Sequence, residues 1–268
     1  MKLGFIGIGN MAGAIIKGLI QSGHTPAEAI YVTNTTPEKL NSFTQQTGVQ
    51  ACQTNEELVS KVDILFIATK PAVFPTLLAE LETVLIQYHP VIISIAAGIR
   101  LDQLASYLKP AHNLSIIRVM PNLNNQIGEG MAAVCGNKTT TKEQLQSVLE
   151  IFNTVGKAIQ LPEKDFSAFT AIAGCSPAFV FLFIDFLARA AVKHGLPKAQ
   201  ATEIAAQAVL GSAKMVLEST SSPMDLIDQV SSPGGTTIEG VLSLSENGFT
   251  SSIVKAVDAT IEKDRRLS

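Results

Sequence analysis

Two short stretches of this chain hold residue types and spacings that could do chemistry. They are Gly7-Ile8-Gly9-Asn10-Met11-Ala12 and Pro233-Gly234-Gly235-Thr236-Thr237. The first has the G-x-G-x-x-[GA] spacing. It follows an apolar run, Leu3 to Ile6, and opens an amphipathic helix in which Met11, Ile15, Gly18 and Leu19 share a face. In that setting Gly7 allows the sharp turn, Gly9 lets backbone approach a pyrophosphate, and Ala12 lets helix pack closely on strand. The helix N-terminus then offers unpaired N–H groups and a positive dipole end to the phosphates. A plain tight turn has the same composition. The strand before the motif and a second strand at Ala29–Thr33 favour the dinucleotide reading.

The second stretch stands between two helical patterns, in Gln229-Val230-Ser231-Ser232-Pro233-Gly234-Gly235-Thr236-Thr237-Ile238-Glu239-Gly240. Pro-Gly-Gly makes a tight turn whose glycines expose backbone N–H groups. Thr236 or Thr237 can cap the helix that follows or donate from its hydroxyl. Such a turn suits a carboxylate, and a helix–helix connector with a cap is the ordinary alternative. No Ser–His–Asp set, carboxylate pair or metal-ligand spacing accompanies it. The histidines (His24, His89, His112, His194) and cysteines (Cys52, Cys135, Cys175) are scattered.

The elements that must position these residues alternate as strand and helix. The second strand ends in Thr33-Asn34-Thr35-Thr36-Pro37, with no carboxylate before Glu38. A carboxylate there would bind a ribose 2′-hydroxyl and repel a 2′-phosphate, so its absence admits NADP. Thr36 can cap the next helix with Pro37 at its first position, and Lys39 stands nearby for a phosphate. Asn55-Glu56-Glu57-Leu58 reads as another capped helix start. Asp63–Ala68 is a near-continuous apolar run of the buried parallel kind and leads into Thr69-Lys70-Pro71. Val91–Ile95 leads into Ala96-Ala97-Gly98, small enough for a flat ring to approach. Ser115–Val119 leads into Met120-Pro121-Asn122. Met131–Cys135 and Lys157–Leu161 complete the strands, around a helix over Lys142–Asn153.

The pattern predicts an α/β fold: an N-terminal Rossmann-type, doubly wound, mostly parallel sheet with these strand ends on one edge. From about Glu163 the strands stop, and an all-helical C-terminal domain is expected. Its helices are expected at 165–173, 177–194, 197–218, 223–229, 236–246 and 250–263. The domains are placed at 1–162, for the dinucleotide, and 163–268, for dimerisation and substrate.

With 46% apolar and 16% charged residues, the chain can bury a sizeable core. A net charge of −3 leaves no basic footprint for nucleic acid and no polybasic membrane anchor. Three scattered cysteines point to a reducing compartment, hence the cytoplasm. Leu3–Ile8 is too short for a signal peptide and runs into the glycine turn. The longest apolar run, Ala178–Ile184, is interrupted by Asp185 and Arg189. It is expected to fall short of a membrane span and to be a buried helix.

Taken together, the motifs resemble pyrroline-5-carboxylate reductase over essentially the whole chain. The resemblance rests on Gly7–Ala12, Ala68-Thr69-Lys70-Pro71, Ser94–Gly98, Met120-Pro121-Asn122 and Gly174-Cys175-Ser176-Pro177-Ala178-Phe179. Above all it rests on Ser231–Thr237, with Asn247-Gly248-Phe249 downstream. Leu123-Asn124 depart from the family's Thr-Pro, which bears on the local geometry near the nicotinamide. Thr69 replaces a valine, and Gly174-Cys175-Ser176-Pro177 replaces Gly-Ser-Gly-Pro, a change expected to tighten the turn before a long helix.

The resemblance implies reduction of 1-pyrroline-5-carboxylate to L-proline, with hydride passing from NADPH (NADH possible) to the imine carbon. It implies cofactor contacts at Ile6, Gly7, Ile8, Gly9, Asn10 and Met11, at Asn34 and Asn55, at Ala68, Thr69, Lys70 and Pro71, at Ala96, Ala97 and Gly98, and at Gln229. Ser232, Gly235 and Thr236 would hold the substrate carboxylate by their amides, with Glu163 nearby. Thr237 would act through its hydroxyl near the ring nitrogen. Family members are homodimers, some assembled into rings of dimers. Two alternatives share the layout. A β-hydroxyacid dehydrogenase needs a catalytic lysine, but Lys164 and Lys193 lack its sequence setting. A non-catalytic nucleotide-binding paralogue would not need the intact Pro233–Thr237 turn.

Overall fold

The computed structural model describes residues 1–108 and 113–267; His112 lies outside them. The first unit, Met1–Gly174 with the chain end from Ile261, is an open sheet with helices on both faces. Its strands are β1 (Leu3–Ile6), β2 (Ile30–Thr33), β3 (Gln50–Ala51), β4 (Ile64–Ile67), β5 (Val91–Ser94), β6 (Ile116–Met120), β7 (Gly130–Gly136) and β8 (Gly156–Gln160), in the order β3-β2-β1-β4-β5-β6-β7-β8. Helices α1 (Asn10–Gln21), α2 (Pro37–Thr47), α3 (Asn55–Val59), α4 (Phe74–Tyr88), α5 (Leu101–Ser106), α6 (Lys142–Asn153) and α7 (Phe166–Phe169) lie between and after them. The pairings are parallel except β6–β7. The connection 121–129 is too short for a parallel crossover, which forces the chain to turn back there.

Period-two alternation divides the core between the faces. Leu3, Phe5, Ile64, Phe66, Ile93, Ile117 and Val119 pack with Ile15 and Leu19 of α1 and Phe152 of α6. Ile6, Leu65, Ile67, Ile92 and Ile116 face Leu77 and Leu81 of α4 and Phe166 of α7. Phe5 and Phe66, opposite each other in register, stack at 4.3 Å. As expected, Ala12 is buried against the sheet, and Gly18 lies so close to Val155 that a Cβ would sit 2.0 Å from it.

Three local expectations are corrected. β2 begins at Ile30, after a 3-10 turn over Ala27–Ala29, and the two-residue exposed β3 carries no apolar signal. The cap of α3 is Thr54, whose hydroxyl accepts from the Glu57 N–H at 3.1 Å; Asn55 is the first helical residue. No turn separates the helices around residue 174. The chain is helical from Glu163 to Lys193, with a π-helical stretch over Thr170–Cys175. Pro177 has no N–H to give to the carbonyl four residues back, and its ring crowds that carbonyl. The wider π turn takes up the strain, and the Asn122 side-chain amide donates to the Ala173 carbonyl at 2.9 Å instead.

The second unit, Cys175–Thr260, is helical. It contains α8 (Ser176–Lys193), α9 (Lys198–Glu218), α10 (Pro223–Val230), α11 (Thr236–Glu246) and most of α12 (Phe249–Leu267). The helix over 163–193 is long and apolar enough, by length and composition, to cross a membrane, contrary to the sequence reading. Nor is α8 buried within the single chain. Phe181, Leu182, Phe186 and Leu187 are exposed, Phe186 by 61%. Among the described apolar residues of α9, only Ala201 and Ala205 are buried, so this unit has little core of its own. Exposed apolar side chains clustered on one helix mark an interaction surface.

Candidate functional site

The ends of β1, β2, β4 and β5 form one edge of the sheet. Gly7 has φ +92°, and a Cβ there would lie 3.0 Å from the Ala68 carbonyl oxygen. Its N–H donates to Thr33 O at 2.9 Å, and the Ala68 N–H donates to Ile6 O at 2.9 Å. The Ile8 N–H faces Asn34 Oδ1 at 3.5 Å, while Asn34 Nδ2 donates to Thr36 O. The Thr33 hydroxyl donates to Asn55 Oδ1 at 2.7 Å. The sequence-predicted residues Ile6, Gly7, Ile8, Asn34, Asn55 and Ala68 therefore come together as one bonded edge, from which Gly9–Met11 lead into α1.

That edge suits a phosphate-bearing ligand. Gly9 caps α1 without a side-chain hydrogen bond, has no atom within 4 Å of its would-be Cβ, and precedes a first turn free of acidic residues. Unpaired amides at such an end attract anions. Thr36 occupies the cap position of α2 with its hydroxyl making no cap bond. The Thr69 hydroxyl oxygen is buried and without a partner, an open valence beside the β4 end. Lys70 is exposed ahead of Pro71, Ala96 is buried and Ala97 exposed after β5, and Gly98 takes a left-handed conformation. A dinucleotide fits these features.

The residues around Leu123 are held in a way the sequence did not reveal. Asn122 and Asn125 cap a 3-10 turn reciprocally, the Asn122 N–H donating to Asn125 Oδ1 at 3.0 Å. Asn122 Oδ1 accepts from the Met131 N–H, and Asn125 Nδ2 donates to Val155 O. Leu123 and Asn124 themselves are partly or largely exposed. Their departure from the family pattern therefore leaves the turn intact. The available signal was a pair of asparagines three apart at a strand end.

Sequence reasoning also passed over Arg118. An arginine within an apolar strand run was the cue. Its side chain is 4% exposed and lies 4.7 Å over the Phe166 ring, and Nη1 donates to Glu163 Oε1 at 3.0 Å. The same Glu163 oxygen accepts from the Leu101 N–H at 2.7 Å. Glu163 thus ties β6 to the start of α5. Glu163→Gln keeps an acceptor but removes the charge facing a buried guanidinium. We expect it to lower stability by ~1–2 kcal/mol in urea unfolding, and an unchanged midpoint would refute the tie. Nearby, burial pushes the Cys135 thiol up to about 12, with the Glu163 charge adding to the shift and Arg118 opposing it. The thiol is therefore neutral and unreactive at physiological pH.

In the second unit, Ser232–Gly235 forms a tight turn with proline second and Gly234 third at φ +68°. Glycine is the residue that takes that third position without strain. The Gly235 N–H closes the turn on Ser232 O at 2.9 Å, so it is already engaged. A Cβ on Gly235 would meet Ser232 Oγ at 2.4 Å. Gly235 caps α11, leaving the amides of Thr236 and Thr237 among those a helix start does not pair. Both threonines are exposed, and the Ser231 hydroxyl is buried without a partner. Gln229, on α10, reaches Ser221 Oγ at 3.5 Å within the same unit.

A family model described as pyrroline-5-carboxylate reductase dimerisation matches residues 163–267, and one described as NADP oxidoreductase, coenzyme F420-dependent, matches residues 2–98. The protein named pyrroline-5-carboxylate reductase from Escherichia coli (strain K12) is 43% identical over 267 residues, covering 100% of this chain and 98% of that one. The solved structure of a pyrroline-5-carboxylate reductase from Coxiella burnetii has a TM-score of 0.94 at 32% identity, covering 100% of this chain and 98% of that one. A Plasmodium falciparum pyrroline carboxylate reductase solved with NADP bound has a TM-score of 0.87 at 32% identity, covering 100% and 98%.

Proposed function

The chain belongs to the pyrroline-5-carboxylate reductase family and is an NAD(P)H-dependent oxidoreductase of proline biosynthesis; we propose how its residues divide the work. The reading of the site rests on one observation: an intact Pro-Gly-Gly turn, with left-handed Gly234, at the open N-terminus of α11. Amides of Thr236 and Thr237, with Ser232 and Gly235 shaping the turn, receive the carboxylate of 1-pyrroline-5-carboxylate. The Thr237 hydroxyl donates beside the ring nitrogen. The cofactor, when bound, supplies a hydride to the imine carbon. The chain's own part is to hold two reactants face to face and exclude water, which needs neither a nucleophile nor a strong acid.

On the first unit, Gly7–Met11 take the pyrophosphate, Asn34 and Asn55 the adenosine ribose side, and Thr69–Pro71 and Ala96–Gly98 the nicotinamide half. Gln229 and Glu163 act as supporting groups. The division at residue 162 is kept as the functional boundary, supported by a dimerisation match that begins at 163. The chain forms oligomers through its helical domain. We assign the exposed apolar face of α8 to a homodimer, with assembly into a ring of dimers as a further step, in a soluble cytoplasmic enzyme.

Purified protein should consume NADPH with pyrroline-5-carboxylate and form proline. Tight cofactor binding without turnover of NADPH or NADH would instead favour the regulatory paralogue. NADPH should be used at least as well as NADH, because Asn34 stands where a carboxylate would repel the 2′-phosphate. Asn34→Asp retains the acceptor facing the Ile8 N–H and adds that repulsion. It should cut kcat/KM for NADPH by ~10-fold while sparing NADH. Equal losses with both cofactors would defeat the assignment.

A further inference from the structure

A cavity of about 420 Å³ in the first unit is lined by Arg100, Arg118, Lys164 and Arg265, with Glu163 as its one carboxylate. The chain as a whole has a net charge of −3, so four cations around one cavity are a local concentration against the overall sign. None of the glycine-turn or strand-end residues described above lines it. Arg118 is fixed by Phe166 and Glu163, yet its Nε–H is buried and without a partner. Glu163 offsets one cation, Arg118, with which its Oε1 is paired while also accepting from the Leu101 N–H, and leaves the cavity lining with an excess of positive charge. Among the described residues Arg100 is offset only by an exposed pair with Asp102 at 3.3 Å. Lys164 and Arg265 have no ion pair among the described residues, and Ser167 adds a hydroxyl to the lining.

We propose that this cavity binds a small oxyanion carrying at least two negative charges, a phosphate or a compact polycarboxylate. A planar guanidinium fork fixed in place, a mobile ammonium and a hydroxyl supply charge-assisted donors from several directions. Low-dielectric walls lined with one sign of charge concentrate counter-ions. An anion that binds the folded cavity and not the unfolded chain stabilises the fold by mass action. The site goes beyond the reductase reading and shares only Glu163 with it, so the test below leaves Glu163 unchanged.

The test uses the full-length oligomer saturated with NADP⁺ and L-proline, so that other anion-accepting surfaces are filled. Inorganic phosphate is titrated at constant ionic strength against sodium chloride, and Tm is followed. We expect a saturable rise of a few degrees in the millimolar range, of the order mass action gives. In the Lys164→Ala/Arg265→Ala variant the apparent affinity should fall about five-fold or more, with Tm in the absence of phosphate unchanged or raised. Lys214→Ala, on the exposed surface of α9, should respond like the parent. Citrate then identifies the source: a larger response than phosphate favours a carboxylate ligand, and a smaller one favours a phosphate. A chloride response equal to that of phosphate, or a double variant that responds like the parent, overturns the site.

Discussion

Gly9→Val is expected to give a folded protein that binds NADPH about 100-fold more weakly, a loss of ~2.7 kcal/mol. The structure makes the two halves of that statement separable. Gly9 has φ −67°, which valine adopts readily, and no atom lies within 4 Å of its would-be Cβ. The new Cβ therefore meets no protein and strains no backbone. It occupies the space through which a pyrophosphate would reach the first amides of α1. Calorimetric titration with NADPH beside a thermal melt reads both halves. A retained affinity with an unchanged Tm would show that the cofactor enters elsewhere. Gly7→Ala serves as contrast. At φ +92°, with the Ala68 carbonyl oxygen 3.0 Å from the new Cβ, it should destabilise the fold itself.

Thr237→Ala is expected to lower kcat/KM for pyrroline-5-carboxylate by about 5- to 150-fold, the range of one donor worth ~1–3 kcal/mol. Cofactor affinity should not change. Thr237 is exposed, stands at the second position of α11 and supplies no side-chain cap, so its methyl and hydroxyl add little to folding. Thr237→Ser restores the hydroxyl and should restore most of the activity. Thr236→Ala keeps its amide and should lie close to the parent enzyme. Full activity in Thr237→Ala would remove the hydroxyl from the proposed mechanism.

The parts of the fold legible in the sequence were those with strong periodicity. Near-continuous apolar runs marked β4, β5 and β6, because strands buried on both faces favour apolar residues at most positions. Turn chemistry marked Gly7 and Gly234, each of which takes a left-handed conformation. The illegible parts depended on distant groups. The continuity of the helix through Cys175 could not be read locally, because its freed carbonyl is satisfied from Asn122, far away in sequence. The Arg118–Glu163 tie joins residues on different elements, and the 3.6 and 2.0 periods carry no information about such a pair. The exposure of α8 was misread for a related reason. Apolar composition says that a helix will be covered, but not by which chain.

The amide of Asn122 has a consequence for how the chain can vary. It fills a valence left open by the ring of Pro177, so the two residues form one device written in two places. An ancestor that lost the proline would regain a local N–H for the same oxygen, and the asparagine would become partly dispensable. An ancestor that lost the asparagine first would carry an unmet carbonyl in its interior. Drift between the two arrangements is therefore directional, with the proline expected to be given up before the asparagine.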